Sequence, residues 1–333
     1  MKKIIVTGAA GFLGGRLAAY LGENTNDYQI VATSRRNNNT EELKNKNCEF
    51  IAGDLTDAEF CNRLVVNAEI VIHCAALSSP YGAYDDFYKA NCVATENLLI
   101  ASKKACVKKF IYISTPSIYV NSNSRLNVKE SDPLPPKMIN NYAKTKLISE
   151  KLILEYNGKG ILTIALRPRA IIGAGDTVIF PRILEAYKKG KLKIIGDGKN
   201  ICDLTSVRNV IEAVLCCLKT DEKAWGEAYN ITDGHPVAFW ETLNYALKSL
   251  QLSPPTTKIP RALAMFIASI IEFKAKVLKQ KSEPPLIKYS VGVLADSFTL
   301  DISKAKKMLN FTPQVTSLQS IDEFVNWYKN NSK

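Results

Sequence analysis

Through the first half of the chain, short β-branched apolar runs alternate with longer segments of helical period. Runs at 2–7, 28–33, 48–52, 69–74, 109–114 and 161–166 each predict a strand, and each is followed by an amphipathic or helical segment. Strands separated by helix-length connections pair in parallel, because a parallel neighbour is reached only through a crossover. The pattern therefore predicts an α/β fold: a Rossmann-type doubly wound parallel sheet covered by helices on both faces. No internal repeat or low-complexity stretch interrupts it.

After Arg167-Pro168 the pattern becomes irregular and richer in Gly and Pro, which predicts a smaller α/β substrate lobe over 168–333 beside a dinucleotide-type domain over 1–167. A helix-like stretch at 208–218 and a strand-like one at 226–231 read as a return to the first sheet, so roughly 200–232 interleaves the two lobes. The segment 261–281 holds an apolar or small-residue core, Ala262 to Ile271, followed by Lys274, Lys276, Lys279 and Lys281. That core is too short to span a bilayer, which takes ~20 residues. It reads first as a helix covering the pocket or core, and second as a basic-flanked helix lying on a membrane surface.

With 333 residues and 46% apolar content the chain can bury a large core. Its net charge of +12 comes from scattered lysines, a solvated basic surface rather than a block that tracks nucleic acid, and no stacking or groove-reading motif is present. The apolar stretch behind Met1 is too short for a signal peptide, so a cytoplasmic location is expected, with peripheral membrane contact through 261–281 as the variant. Eight cysteines without a CxxC pair read as reduced thiols rather than a disulfide framework or zinc site. Only His73 and His235 are present, which excludes a multi-histidine metal centre and leaves a serine–histidine triad just these two. No metal is expected.

Strand 2–7 runs directly into Thr7-Gly8-Ala9-Ala10-Gly11-Phe12-Leu13-Gly14 and then a helix. A pyrophosphate must approach backbone N–H groups at a helix N-terminus, where side chains obstruct it and the helix dipole favours negative charge. Three spaced glycines are weak evidence alone; their place after the first strand of a βαβ unit makes them a strong dinucleotide signal, with Gly14 admitting close helix–strand packing. The next strand ends in Ser34-Arg35-Arg36, where an acid would bind the ribose 2′-hydroxyl of NAD and arginine suits the 2′-phosphate of NADP. NADP is therefore favoured over NAD, against the alternative of two exposed loop arginines. Asp54-Leu55 follows the third strand, where a carboxylate reaches an adenine amino group or simply begins the next helix.

Tyr142 and Lys146 stand at i and i+4 on one helix face. The spacing is cheap: Tyr187 and Lys191 repeat it, although Gly190 marks that copy as a helix end. Context selects the first pair, because strand 109–114 ends in Ser114-Thr115 and the carboxyl ends of parallel strands border the ligand crevice. A ketone accepting hydride needs a proton donor, and the reverse reaction needs a base. A free phenol at pKa ~10 is poorly matched to neutral pH. A cation ~4–5 Å away at an effective dielectric of ~20 favours phenolate by roughly 3–4 kcal/mol. Lys146 together with the cofactor's positive nicotinamide is expected to supply it, with Thr115, or failing it Ser114, holding the substrate oxygen.

These residues, with His73-Cys-Ala75-Ala76, Asn91-x-x-x-Thr95 and Arg167-Pro168, resemble the extended short-chain dehydrogenase/reductase family over essentially the whole chain. The resemblance implies that Asn91 orders the active-site framework and contributes to the cofactor site, that Ala75 and Ala76 line the crevice, that Pro168 sits beside the nicotinamide, and that the protein is a homodimer through two helices per subunit. Asn200 to Asn209 is similar to the 3β-hydroxysteroid dehydrogenase branch. Sugar-nucleotide epimerases carry an arginine before the equivalent of Asp203, whereas this chain has Cys202, and a thiol cannot replace a bidentate guanidinium on phosphate. Arg208 stands where an acid or glycine is usual.

The reading is an NAD(P)-dependent oxidoreductase of a hydrophobic, sterol-like or long-chain alcohol or ketone. Arg169 and Arg182 keep a second reading open, a nucleotide-sugar epimerase or dehydratase with tightly held NAD. A non-catalytic dinucleotide sensor is the alternative of another class.

Overall fold

The computed structural model describes residues 2–36, 43, 47–278, 280 and 282–331. Lys279 and Lys281 of the basic tract lie outside them. Seven strands form the central sheet: β1 (Lys2–Thr7), β2 (Tyr28–Ser34), β3 (Cys48–Ala52), β4 (Ala68–His73), β5 (Lys109–Ile113), β6 (Leu162–Pro168) and β7 (Ala228–Ile231). Their order is β3-β2-β1-β4-β5-β6-β7, every pair parallel. Strand order thus reverses between β1 and β4, the place where such sheets open a ligand crevice.

Period-two alternation divides the sheet's side chains between two cores. Ile4 and Val6, Ile70 and Ile72, and Ile111 and Ile113 face one way, against helices Phe12–Asn24 and Val207–Lys219. Ile5, Val71, Phe110 and Tyr112 face the other, against helices Ala58–Leu64 and Ala94–Lys104. Burial on both faces explains why these strands read as continuous apolar runs. The Rossmann-type architecture expected from the pattern is the one present.

The smaller lobe is assembled from dispersed pieces. Val237–Ala238, Ile201–Cys202, Phe298–Leu300 and Arg125–Val128 make a four-stranded sheet, so a segment from between β5 and β6 joins it. In return, Val207–Lys219 and β7 go back to the large domain, and Ile302, Ala305, Leu309 and Phe311 pack into its core. A strand pair, Ile194–Ile195 with Lys258–Ile259, leads into helix Arg261–Val277. That helix turns only alanines fully inward, Ala264, Ala268 and Ala275, with Met265 partly buried beside them, and leaves most of its large apolar side chains outward. No helix among the described residues is long and apolar enough to cross a membrane. The second Tyr-x-x-x-Lys spacing falls, as read, at the end of helix Ile179–Lys188, stopped by Gly190 at φ +64°.

Glycine placement gives a direct test of this packing. A β-carbon on Gly14 would sit 2.4 Å from the carbonyl oxygen of Gly8, a backbone atom with nowhere to move, whereas one on Gly158 meets nothing within 4 Å and is opposed only by φ +75°. Gly14→Ala is therefore expected to lower stability in urea by more than about 2 kcal/mol despite alanine's better helix propensity, and Gly158→Ala by about 1. Equal denaturation midpoints for the two variants would contradict the close helix–strand contact.

Candidate active site

At the crevice the loops after β1 and β4 touch through their backbones. Gly8, at φ +73°, leaves no room for a side chain, since its β-carbon would lie 2.8 Å from Ala75 N. A buried hydrogen-bond chain locks the contact. Thr95 Oγ1 donates to Asn91 O at 2.5 Å, so it accepts from His73, which is protonated on Nε2, at 2.9 Å. His73 Nδ1 then accepts from the Thr7 hydroxyl at 2.7 Å, and Thr7 Oγ1 accepts the Ala75 N–H at 3.1 Å. Burial, helped by the charge of Lys146, pushes the His73 pKa down to about 3 and keeps the ring neutral. His73 is a framework residue here, not half of a serine–histidine pair.

Asn91 lies in a π-helical turn, Tyr88–Val93. Its Oδ1 accepts from Leu77 N at 2.7 Å, while Nδ2 donates to Leu77 O at 3.3 Å and to Thr145 Oγ1 at 3.0 Å. The side chain ties the loop after β4 to helix Asn141–Glu155. Its amide is engaged in the framework that the resemblance implied for it.

Helix Asn141–Glu155 is capped by Asn140, whose Oδ1 accepts from Ala143 N at 2.8 Å, and Asn141 Nδ2 holds Gly82 O at 3.0 Å. So fixed, Tyr142 places its phenol near the hydroxyls of Thr115 and Ser78, which act to lower its pKa. Thr115 caps the turn Pro116–Tyr119 at the end of β5, accepting from Ser117 N at 3.2 Å. The Ser114 hydroxyl is buried without a hydrogen-bond partner. Of the two hydroxyl residues, Thr115 is the one brought to the phenol.

Lys146 follows one turn later, almost fully buried. Its Nζ donates to Ile113 O at 2.5 Å and stands 4.0 Å from the Tyr112 ring centroid. Burial lowers its pKa to about 7, with Glu150 the leading opposing influence. Lys146 is not among the groups that shift the Tyr142 pKa here. Burial raises the Tyr142 pKa, Thr115 and Ser78 pull against it, and the nearby Tyr289 phenol adds to the rise. The phenol is therefore held protonated, as a donor.

Sequence reasoning missed four contributors. Glu150 continues the Tyr142–Lys146 spacing by one more turn and forms a buried bidentate pair with Arg167, Nε to Oε2 at 2.8 Å and a second nitrogen to Oε1 at 2.5 Å. Arg167 also donates to the Tyr119 hydroxyl. That i+8 spacing was a legible signal. Ser78 and Tyr289 come from loops and helices far away in sequence and carried none.

The residues around the glycine loop fit a dinucleotide. Gly11 caps helix Phe12–Asn24 without any side-chain hydrogen bond, leaving the first-turn N–H groups to a ligand. Ala10, Ala75 and Phe12 are half-buried around it and Ala76 is exposed, while the Leu13 side chain is in the core, so only its backbone faces the cradle. Ser34 Oγ donates to Arg36 O at 2.6 Å, and the side chains of Arg35 and Arg36 are exposed beyond β2. One Asp54 oxygen accepts from Thr56 N and Oγ1, both at 2.9 Å. The cap of the next helix is Asp57, and Leu55 packs in the core. Pro168 ends β6 opposite Ile231. Beyond it Arg169 has its Nε buried without a partner, its guanidinium 5.0 Å from the Phe298 ring, and its charge draws down the pKa values of Asp203 and Cys202 against their burial.

The model of the 3-beta hydroxysteroid dehydrogenase/isomerase family matches residues 5–261. The chain belongs to this family. It is an NAD(P)-dependent oxidoreductase of the extended short-chain type. The 3beta-hydroxysteroid-dehydrogenase/decarboxylase isoform 1 of Arabidopsis thaliana is 36% identical over 293 residues, 84% of this chain and 67% of that protein. The 2-alkyl-3-oxoalkanoate reductase of Stenotrophomonas maltophilia is 30% identical over 319 residues, 94% of this chain and 96% of the other. UDP-glucuronic acid 4-epimerase from Bacillus cereus, solved with NAD, superposes with a TM-score of 0.78 over 99% of this chain and 100% of its own at 23% identity, a likeness of fold.

The buried lysine of this family member has a measurable signature. Its folded pKa, about 7, lies below the ordinary lysine value of 10.5. The unfolded chain therefore binds more protons between these values, and the contribution present above the upper one is lost as pH falls toward the lower. The melting temperature of Lys146→Met is expected to lack that part of the rise between pH 7 and pH 10 seen in the parent. Parallel curves for the two proteins would show that Lys146 is not buried as described.

Proposed function

We propose that this enzyme reduces a ketone, or oxidises the matching secondary alcohol, on a hydrophobic substrate that carries a carboxylate near the reacting carbon, and that it uses NADP(H). The observation carrying the catalytic part is the meeting of the Tyr142 phenol with the Thr115 hydroxyl at the sheet edge, beside the glycine cradle. The nicotinamide coenzyme, when bound, supplies or accepts the hydride. The chain's own groups handle the proton: Thr115 orients the substrate oxygen, and Tyr142, held protonated, delivers its proton to the nascent alkoxide. The phenolate so formed keeps the influence of the Thr115 and Ser78 hydroxyls, which favours its charged form, with Lys146, whose cationic form Glu150 supports, one helical turn away. Tyr142→Phe is expected to lower turnover by about 10²–10⁴-fold while coenzyme binding persists. Turnover within a factor of a few of the parent would remove Tyr142 from this role.

Two exposed guanidinium groups beyond β2 support the choice of NADP. Arg35→Ala/Arg36→Ala should raise KM for NADPH by about tenfold or more and leave KM for NADH nearly unchanged, the pattern expected when charge-assisted contacts to the 2′-phosphate are lost. A parent enzyme that prefers NADH would overturn the assignment.

Arg169 supports the carboxylate. A guanidinium with a buried, unpartnered Nε at the carboxyl end of β6 calls for an anion. Cys202 packs in an apolar core with Trp240 and offers no guanidinium of its own to a nucleotide diphosphate. Arg182 is paired at the surface with Glu283 at 3.3 Å. With Arg169→Met, KM for a long-chain 3-oxo acid should rise about tenfold or more relative to the ketone lacking the acid. An equal effect on both substrates would assign Arg169 to structure alone.

A further inference from the structure

Helix Arg261–Val277 presents an outward face that none of the described residues covers. Leu263, Phe266, Ile267, Ile270, Phe273 and Val277 are all exposed, Phe266 at 64% and Phe273 at 70%. At 3.6 residues per turn they fall within an arc of about 120°, opposite the inward alanines. A contiguous apolar stripe about 21 Å long is far more than scattered exposed side chains require.

The charges on this helix discriminate between occupants. Arg261 is bound to Asp296, and Glu272 to Lys288. Among the described residues Lys274 and Lys276 make no ion pair, and both are exposed. By helical spacing Lys274 lies inside the apolar arc. In a protein interface a central, unpaired lysine must be desolvated, and such positions are depleted of lysine. At a bilayer surface the same side chain lays its methylenes among the acyl chains and lifts its ammonium to the headgroups.

The stripe also adjoins the site. Tyr81, in the loop that carries Ser78, donates to Gln280 O at 3.0 Å, just beyond the helix. Helix Lys288–Ala295, which carries Tyr289 toward the Tyr142 phenol, packs through Val291 against Ala264 and Ala268. We infer that helix Arg261–Val277 seats the protein on the surface of a lipid bilayer bearing anionic headgroups, with the mouth of the active site turned to the membrane. If the proposed hydrophobic substrate is correct, that substrate reaches Tyr142 from the lipid.

The test uses the full chain and needs no turnover, so it stands or falls apart from the catalytic reading. In co-sedimentation, the protein should bind vesicles of phosphatidylcholine mixed with phosphatidylglycerol, bind phosphatidylcholine alone more weakly, and release from the mixed vesicles as salt rises. Phe266→Asp/Phe273→Asp should reduce partitioning by at least about tenfold and keep the parent's NADPH-linked turnover of a short, water-soluble ketone, showing an intact fold. Two results would overturn the inference. One is a parent chain that stays in the supernatant with both vesicle types. The other is a double variant that halves the parent's mass in sedimentation velocity, which would assign the stripe to a second copy.

Discussion

The backbone-to-backbone contact of Gly8 with Ala75 is the constraint on which the site depends. It brings the loops after β1 and β4 together where strand order reverses, and it is possible only because residue 8 has no β-carbon. Thr7, His73 and Thr95 then close over it in an ordered chain of donors and acceptors that ends on Asn91 O. A charged imidazole would break that order, since Nδ1 must accept. Burial deep enough to hold the His73 pKa near 3 thus keeps the phosphate cradle and the framework asparagine in register.

A second set of contacts joins catalysis to the substrate lobe. Glu150 sits two turns beyond Tyr142 and grips Arg167 of β6, which reaches Tyr119 in the turn capped by Thr115. Tyr119 in turn approaches Asn230 of β7, whose Nδ2 donates to Val128 O in the lobe sheet at 3.0 Å. Buried charges of this kind are poor sources of net stability, but removing one partner leaves the other stranded, so the geometry is strongly specified. One arginine therefore fixes the helix that carries the acid, the turn that carries the hydroxyl, and the interleaved lobe.

Much of this was legible in the residues. The strands of the first domain showed themselves because two-sided burial writes unbroken apolar runs, and the glycine loop because a backbone cradle forbids side chains at set positions. The Tyr142–Lys146 pair was visible as a helical spacing placed after a strand end. What stayed hidden depends on distant segments meeting. Ser78 and Tyr289 reach the phenol only through tertiary packing, and so does the burial that raises its pKa. Helix Arg261–Val277 packs Ala264, Ala268 and Met265 against a small core cluster with Ile195 and Val291, and leaves Phe266 and Phe273 facing outward. Periodicity identifies which residues share a face, but not whether alanine or phenylalanine is the side turned inward.

The substrate argument turns on where the positive charge in the second lobe was kept and where it was given up. At position 202 the chain places a thiol in an apolar core, and burial drives its pKa up to about 11, so this point can neither hold a phosphate nor act as a thiolate. At position 169, just past the carboxyl end of β6, it retains a guanidinium with a buried, unpartnered Nε, whose charge acts on Asp203 and Cys202. The proposed carboxylate substrate rests on this pairing of one retained guanidinium with a thiol where a second cation would stand.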